Sequence, residues 1–107
     1  MKIPKRIKIA GHVVTVKMMR NAIEKGGGKI TVGLACYHEN QIRLATHYAE
    51  NKTRADRQNI EENFCHEVLH HICSKYGVAM KERDVNTLAA GLYQVLKDNK
   101  LDFSDRT

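Results

Sequence analysis

No run in the sequence approaches the ~18 consecutive apolar residues that a membrane-spanning helix requires, so no such helix is expected. The opening MKIPKRIKIAGHVV is basic but lacks the continuous apolar stretch of a secretory signal, and the cytoplasm is the expected compartment. Cysteine is scarce. Cys36, Cys65 and Cys73 cannot all pair with one another, and an odd count fits reduced thiols in a reducing compartment. There is no RNA-binding aromatic signature and no spaced cysteine module. Repeats, low-complexity tracts and internal linkers are also missing. What is present is an ordinary globular balance, 42% apolar and 28% charged over 107 residues, which suits a single domain spanning 1–107.

The net charge of +6 comes from 18 Lys and Arg against 12 Asp and Glu. These cations are dispersed along the chain, and the densest group, Lys2, Lys5, Arg6 and Lys8, has the spacing of one solvated face of a terminal strand. The charge therefore reads as a solubility feature, and nucleic acid is not an expected partner.

Periodicity divides the chain into a β part, about 5–46, and a helical part, about 54–99. RIKIAGHVVTVKM breaks at Ala10-Gly11 into two short strands with alternating β-branched residues. GGG at 26–28 reads as a turn or loop. KITVGLACY alternates Ile30, Val32 and Leu34, and QIRLA returns with Ile42 and Leu44 after a short turn. Two hairpins, or one antiparallel sheet of three or four strands, are expected. Thr53 or Asp56 can cap a long helix that ends at Tyr76, with Gly77 at the left-handed position beyond it. A second helix over 82–98 completes an α+β fold.

The long helix contains NFCHEVLHHICSKYG, with H-E-x-x-H at His66, Glu67 and His70. With Ile60 at zero and ~100° per residue, Phe64, Cys65, Val68, Leu69, Ile72 and Tyr76 fall on one apolar face. His66 and His70 lie together at roughly 240° and 280°, beside that face. Two imidazoles one turn apart can converge on one ion. Glu67, turned about 100° from His66, can instead reach a water on the metal. With six His and seven Glu in the chain, chance produces only about 0.02 such patterns, so zinc binding is favoured over satisfied core histidines.

Two histidines do not complete a catalytic zinc site, and the next helix offers Glu82 and Asp84. Val85, Leu88, Ala89, Leu92, Tyr93, Val95 and Leu96 form an inward stripe that includes Glu82, whereas Asp84 falls just outside it. A carboxylate on such a stripe needs a cation, although an acid in a first helical turn is also favoured by the helix dipole. Glu82 is the better candidate for a third ligand.

H-E-x-x-H on one helix and a glutamate on the next resembles the gluzincin plan of zinc metallopeptidases. The whole chain is similar to the compact minigluzincin type, in particular to small metallopeptidases attributed to phages and prophages. The segments carrying the likeness are IKIAGHVVTVKMM, GLACYHENQIRLA, NFCHEVLHHICSKYG and ERDVNTLAAGLYQVLKDN, nearly all of 5–99. The resemblance implies that His66, His70 and Glu82 bind Zn2+ and that Glu67 is the general base. An alignment with related repressor-cleaving peptidases would place Asp84 in the third ligand position. It also implies a peptide or protein substrate in the host cytoplasm, held extended along an edge strand, either QIRLA or KITVG.

The other candidates are weaker. His71 is read as a plain helix-surface residue or as a group behind the ligands or on the substrate side, and His12, His38 and His47 as surface residues. Cys65 and Cys73 read as small core residues. Tyr93 reads as core, though a hydroxyl near zinc could steady an oxyanion. Two classes of function remain: a zinc-dependent endopeptidase, and a non-catalytic zinc-binding regulatory protein, with basic residues meeting nucleic acid. A site closed by four protein ligands favours the second and an open position the first.

Overall fold

The computed structural model describes residues 1–21, 23–26, 29–48 and 53–101. Gly27 and Gly28, part of the expected GGG loop, lie outside them. Six strands come first: β1 (Arg6–Ile9), β2 (His12–Met19), β3 (Ile23–Gly26), β4 (Lys29–Thr31), β5 (Gly33–Cys36) and β6 (Gln41–Ala45). Two helices follow, α1 (Arg57–Tyr76) and α2 (Glu82–Asp98), as expected of an α+β chain.

Ala10 and Gly11 both take positive φ, 52° and 79°, the combination a tight two-residue turn needs to match strand twist. The β1–β2 hairpin closes there with Ile9 opposite His12. The main sheet has the order β1-β2-β6-β5, and β3 and β4 form a separate two-stranded sheet. It is mixed and not purely antiparallel: β6 runs parallel to β2, Thr15 opposite Gln41 through Met19 opposite Ala45. β3, β4 and β5 intervene, and the chain then turns at 37–40 and enters β6 in the direction of β2. Asn40, at φ 50°, takes the left-handed position in that turn, which its short polar side chain tolerates. QIRLA is thus an interior strand, and β5 is an edge, as β1 is on the other side; KITVG is divided between β4 and β5.

One face of the sheet is covered by α1, and α2 packs on α1. The shared core contains Ile9, Val14, Val16, Ile42 and Leu44 from the sheet, Ile60, Phe64, Cys65 and Val68 from α1, and Ala89 and Tyr93 from α2. Asp56 caps α1 by accepting the Asn59 N–H at 2.8 Å, flanked by Ala55 and Ile60, which are both buried in the core. Gly77, at φ 67°, ends the helix with its N–H on the Cys73 carbonyl.

The helix faces depart from simple wheels. Tyr76 is 65% exposed, and Leu88 and Val95 are about half exposed. Conversely, Glu61, Glu67 and His71 are buried on α1. An apolar wheel is centred on one neighbour, whereas α1 touches the sheet on one side and α2 on another, so its buried arc is wider and includes polar positions.

Removing the α1 cap is expected to cost about 0.5–2 kcal/mol. Asp56→Ala should lower the urea midpoint without changing the slope of the transition, which equilibrium unfolding followed by circular dichroism will measure.

Candidate metal centre

The i, i+4 spacing places His66 and His70 on one flank of α1, and the connection at 77–81 returns the chain so that α2 begins opposite them. Their Nε2 atoms lie 3.0 Å apart. Glu82, the first residue of α2, places Oε1 2.7 Å from His66 Nε2 and Oε2 3.1 Å from His70 Nε2. Its side chain is 63% exposed, so it does not lie on a buried stripe as the helical wheel suggested; it reaches the histidines from the rim. Asp84 lies apart from the histidines, with Oδ1 3.6 Å from Arg83 Nε.

This donor set fits a zinc ion. Three groups able to offer lone pairs, the two Nε2 atoms and the Glu82 carboxylate, meet at separations of 2.7–3.1 Å. Tetrahedral zinc with bonds of about 2.0–2.1 Å separates its donors by roughly 3.3 Å, so the cluster needs to open by about 0.2–0.6 Å.

Glu67 lines the same cleft from the side of β5. It is only 6% exposed and lies against β5, where a Cβ added to Gly33 would stand 2.7 Å from its Oε2. Glycine there leaves the carboxylate its space. Glu67 remains close to the histidines, since ligand atoms of His66, Glu67 and His70 all lie within 4.8 Å of one another. A cavity of about 250 Å³ opens over the group, lined by Thr31, Gly33, Leu34, Ala35, Tyr37 and the four site residues.

Tyr37 is the site residue that sequence reasoning missed. It follows β5 directly and lines this cavity as well as an adjoining one of about 430 Å³ that includes Cys73, Val78 and Met80. Partial burial, followed by the nearby Glu67 carboxylate, raises its phenol above the usual range and keeps it protonated. Its ring meets that of His71 edge-on, with centroids 5.3 Å apart. A tyrosine in a turn has no spacing signal to betray it.

His71 is fully buried rather than on the helix surface. Its Nε2–H donates to the Gln41 carbonyl at 2.8 Å, and Nδ1 has no hydrogen-bond partner. Burial pushes its pKa down, so the ring is neutral, and it ties α1 to the start of β6. Lys75 adds a second tie, to the Asn40 side chain. Tyr93 does not reach the site: its hydroxyl donates to buried Glu61 at 2.9 Å, and burial followed by that bond raises it to about 12. Cys65 is buried and pushed up to about 11, mainly by burial, which leaves no thiolate at neutral pH. His12 and His38 are exposed, and His47 is half-buried beside Thr46.

Comparison with known proteins returns no matching family model, no matching curated protein and no matching solved structure. Among the described residues no helix is long and apolar enough to cross a membrane.

The contrast between the two acids on α2 is testable. Glu82→Ala should weaken zinc affinity clearly more than Asp84→Ala, as titration against a chromophoric chelator will show; the reverse order would reassign the third ligand.

Proposed function

We propose that the protein is a zinc-dependent metallopeptidase that hydrolyses peptide bonds. The observation that carries this reading is the separation of roles among four side chains: His66, His70 and Glu82 converge on one point, and Glu67 stands beside them, buried, in a cleft next to an edge strand.

His66, His70 and Glu82 would hold the ion. Bound there, zinc supplies a Lewis acid that polarises the scissile carbonyl and acidifies water. Glu67 accepts the proton of the attacking water and delivers it to the leaving amine. Gly33 leaves room for the Glu67 carboxylate, and burial against β5 limits the directions it can take. β5, at the edge of the main sheet, offers main-chain groups to a peptide laid alongside it as an added strand. Tyr37 walls the cleft at the far end of β5.

A second reading is a structural zinc site in a binding protein, with Glu67 as a fourth ligand. The closeness of Glu67 to both histidines favours it, and the same variants decide between the two. Purified protein is expected to carry about one zinc per chain, lost in His66→Ala and His70→Ala. Glu67→Gln should retain the metal and the fold while peptide cleavage falls by about 10²–10⁴. Self-cleavage and the disappearance of host proteins on expression provide the assay. Zinc loss from Glu67→Gln would make that residue a ligand and the site structural. Cleavage at the wild-type rate by the same variant would refute the general-base role.

Gly33→Ala places a methyl group where the Glu67 carboxylate lies. Zinc content is expected to remain at the wild-type level while kcat falls, which metal analysis beside a cleavage assay will check.

A further inference from the structure

We propose that the β1 edge of the sheet docks the phosphate backbone of a nucleic acid. The sequence disperses its cations, but their balance is not uniform. Residues 1–23 contain six Lys and Arg (Lys2, Lys5, Arg6, Lys8, Lys17 and Arg20) and no acid, whereas the rest of the chain has twelve of each sign. The entire net charge therefore resides in the first two strands and the residues beside them.

Folding gathers these cations. All six are exposed, and none makes an ion pair with a described residue. Strand alternation and the register of Arg6 opposite Thr15 put Arg6, Lys8, Thr15 and Lys17 on the sheet face opposite buried Val14 and Val16, away from the helices. Lys17 also stands directly across from Arg43, a like-charge pairing that sheets normally avoid, and Glu39 offsets it only by binding Arg43 at 2.6 Å. On the other side of the same edge, Lys2, Lys5, Arg54 and Arg57 border a cavity of about 350 Å³ floored by Ile3, Val16 and Ile60.

The chemistry favours nucleic acid over an acidic protein. Protein–protein interfaces are enriched in aromatic residues and depleted in lysine, whereas nucleic-acid interfaces are polar and strongly positive. Residues 1–23 include no Phe, Trp or Tyr. Without a stacking platform the contact is to backbone and not to splayed bases, and it carries no base selectivity. Arg6 and Lys8, two apart on one strand, are separated by about 6.6–6.8 Å, close enough for both to meet one phosphate backbone. β1 and β5 are opposite edges of the sheet, about 14 Å apart at ~4.8 Å per strand, so a duplex held at β1 leaves the metal cleft open.

The test is fluorescence anisotropy of a labelled random-sequence DNA duplex with the full chain, titrated with salt from about 50 mM. The triple variant Arg6→Gln/Lys8→Gln/Lys17→Gln should bind at least about tenfold more weakly, and its log–log salt slope should fall by about 2.7. Each single substitution should lower the slope by about 1. The equal-charge control Lys81→Gln/Lys97→Gln/Lys100→Gln should bind as wild type does. Equal weakening in both triples would reduce the effect to bulk charge and overturn the proposal. So would the absence of duplex binding at about 50 mM salt. Polyglutamate competing as well as the duplex, charge for charge, would assign the surface to an acidic protein instead. Repeating the titration on His66→Ala keeps the outcome independent of zinc and of peptidase activity.

Discussion

The buried carboxylate of Glu61 anchors the junction on which the candidate site rests. A charge in the interior is tolerated only when its oxygens are satisfied. Oε1 accepts the Tyr93 hydroxyl at 2.9 Å and lies 3.3 Å from the Met1 amine, and Oε2 accepts from Arg57 Nε at 2.9 Å. These bonds join α1, α2 and the start of the chain. Stripping partners from such a charge costs about 3–5 kcal/mol, so sliding α2 along α1 is strongly opposed. Three helical turns beyond Tyr93, at the other end of the same interface, stands Glu82. Its position opposite His66 and His70 follows from the register set by Glu61 and Tyr93.

The other side of α1 is held in a comparable way. His71 donates to the Gln41 carbonyl, and Lys75 binds the Asn40 side chain, so the second half of the helix is tied to the turn between β5 and β6. Glu67, one turn before His71, is thereby held against Gly33 on β5. The arrangement distributes work along a single helix: Glu61, His71 and Lys75 fix it to its neighbours, and the three residues of the H-E-x-x-H pattern line the cleft between Glu61 and His71. A helix so occupied cannot be a clean amphipath, and this is why a purely apolar wheel underestimated its buried face.

Where local chemistry sufficed, the sequence was readable. Ala10-Gly11 marked the break between the first two strands, Asp56 (one of two cap candidates with Thr53) and Gly77 marked the ends of α1, and the second helix was bounded at Glu82 and Asp98. The histidine pair was legible because i, i+4 geometry is a property of any α-helix. Less was legible where the answer depended on a neighbour. His71 and Tyr37 carried no spacing signal, and Tyr93, a plausible companion for a metal on its helical face, is engaged by Glu61 instead. The exposure of Leu88 and Val95 likewise depends on how far α1 extends across α2.

By itself, then, the sequence determined what depends on separations of a few residues: the two strand-rich and helix-rich halves, the helix limits, and the adjacency of His66 and His70 with Glu67 about 100° round the helix from His66. Tertiary structure alone decided the parallel pairing of β2 with β6, the choice of β5 as an edge strand, the approach of Glu82 from the rim, and the gathering of dispersed cations along β1. The physical reason is range. Hydrogen bonds within a turn or helix are written into neighbouring residues, whereas strand order and helix register are settled by which buried surfaces and polar groups can be satisfied together across the whole domain.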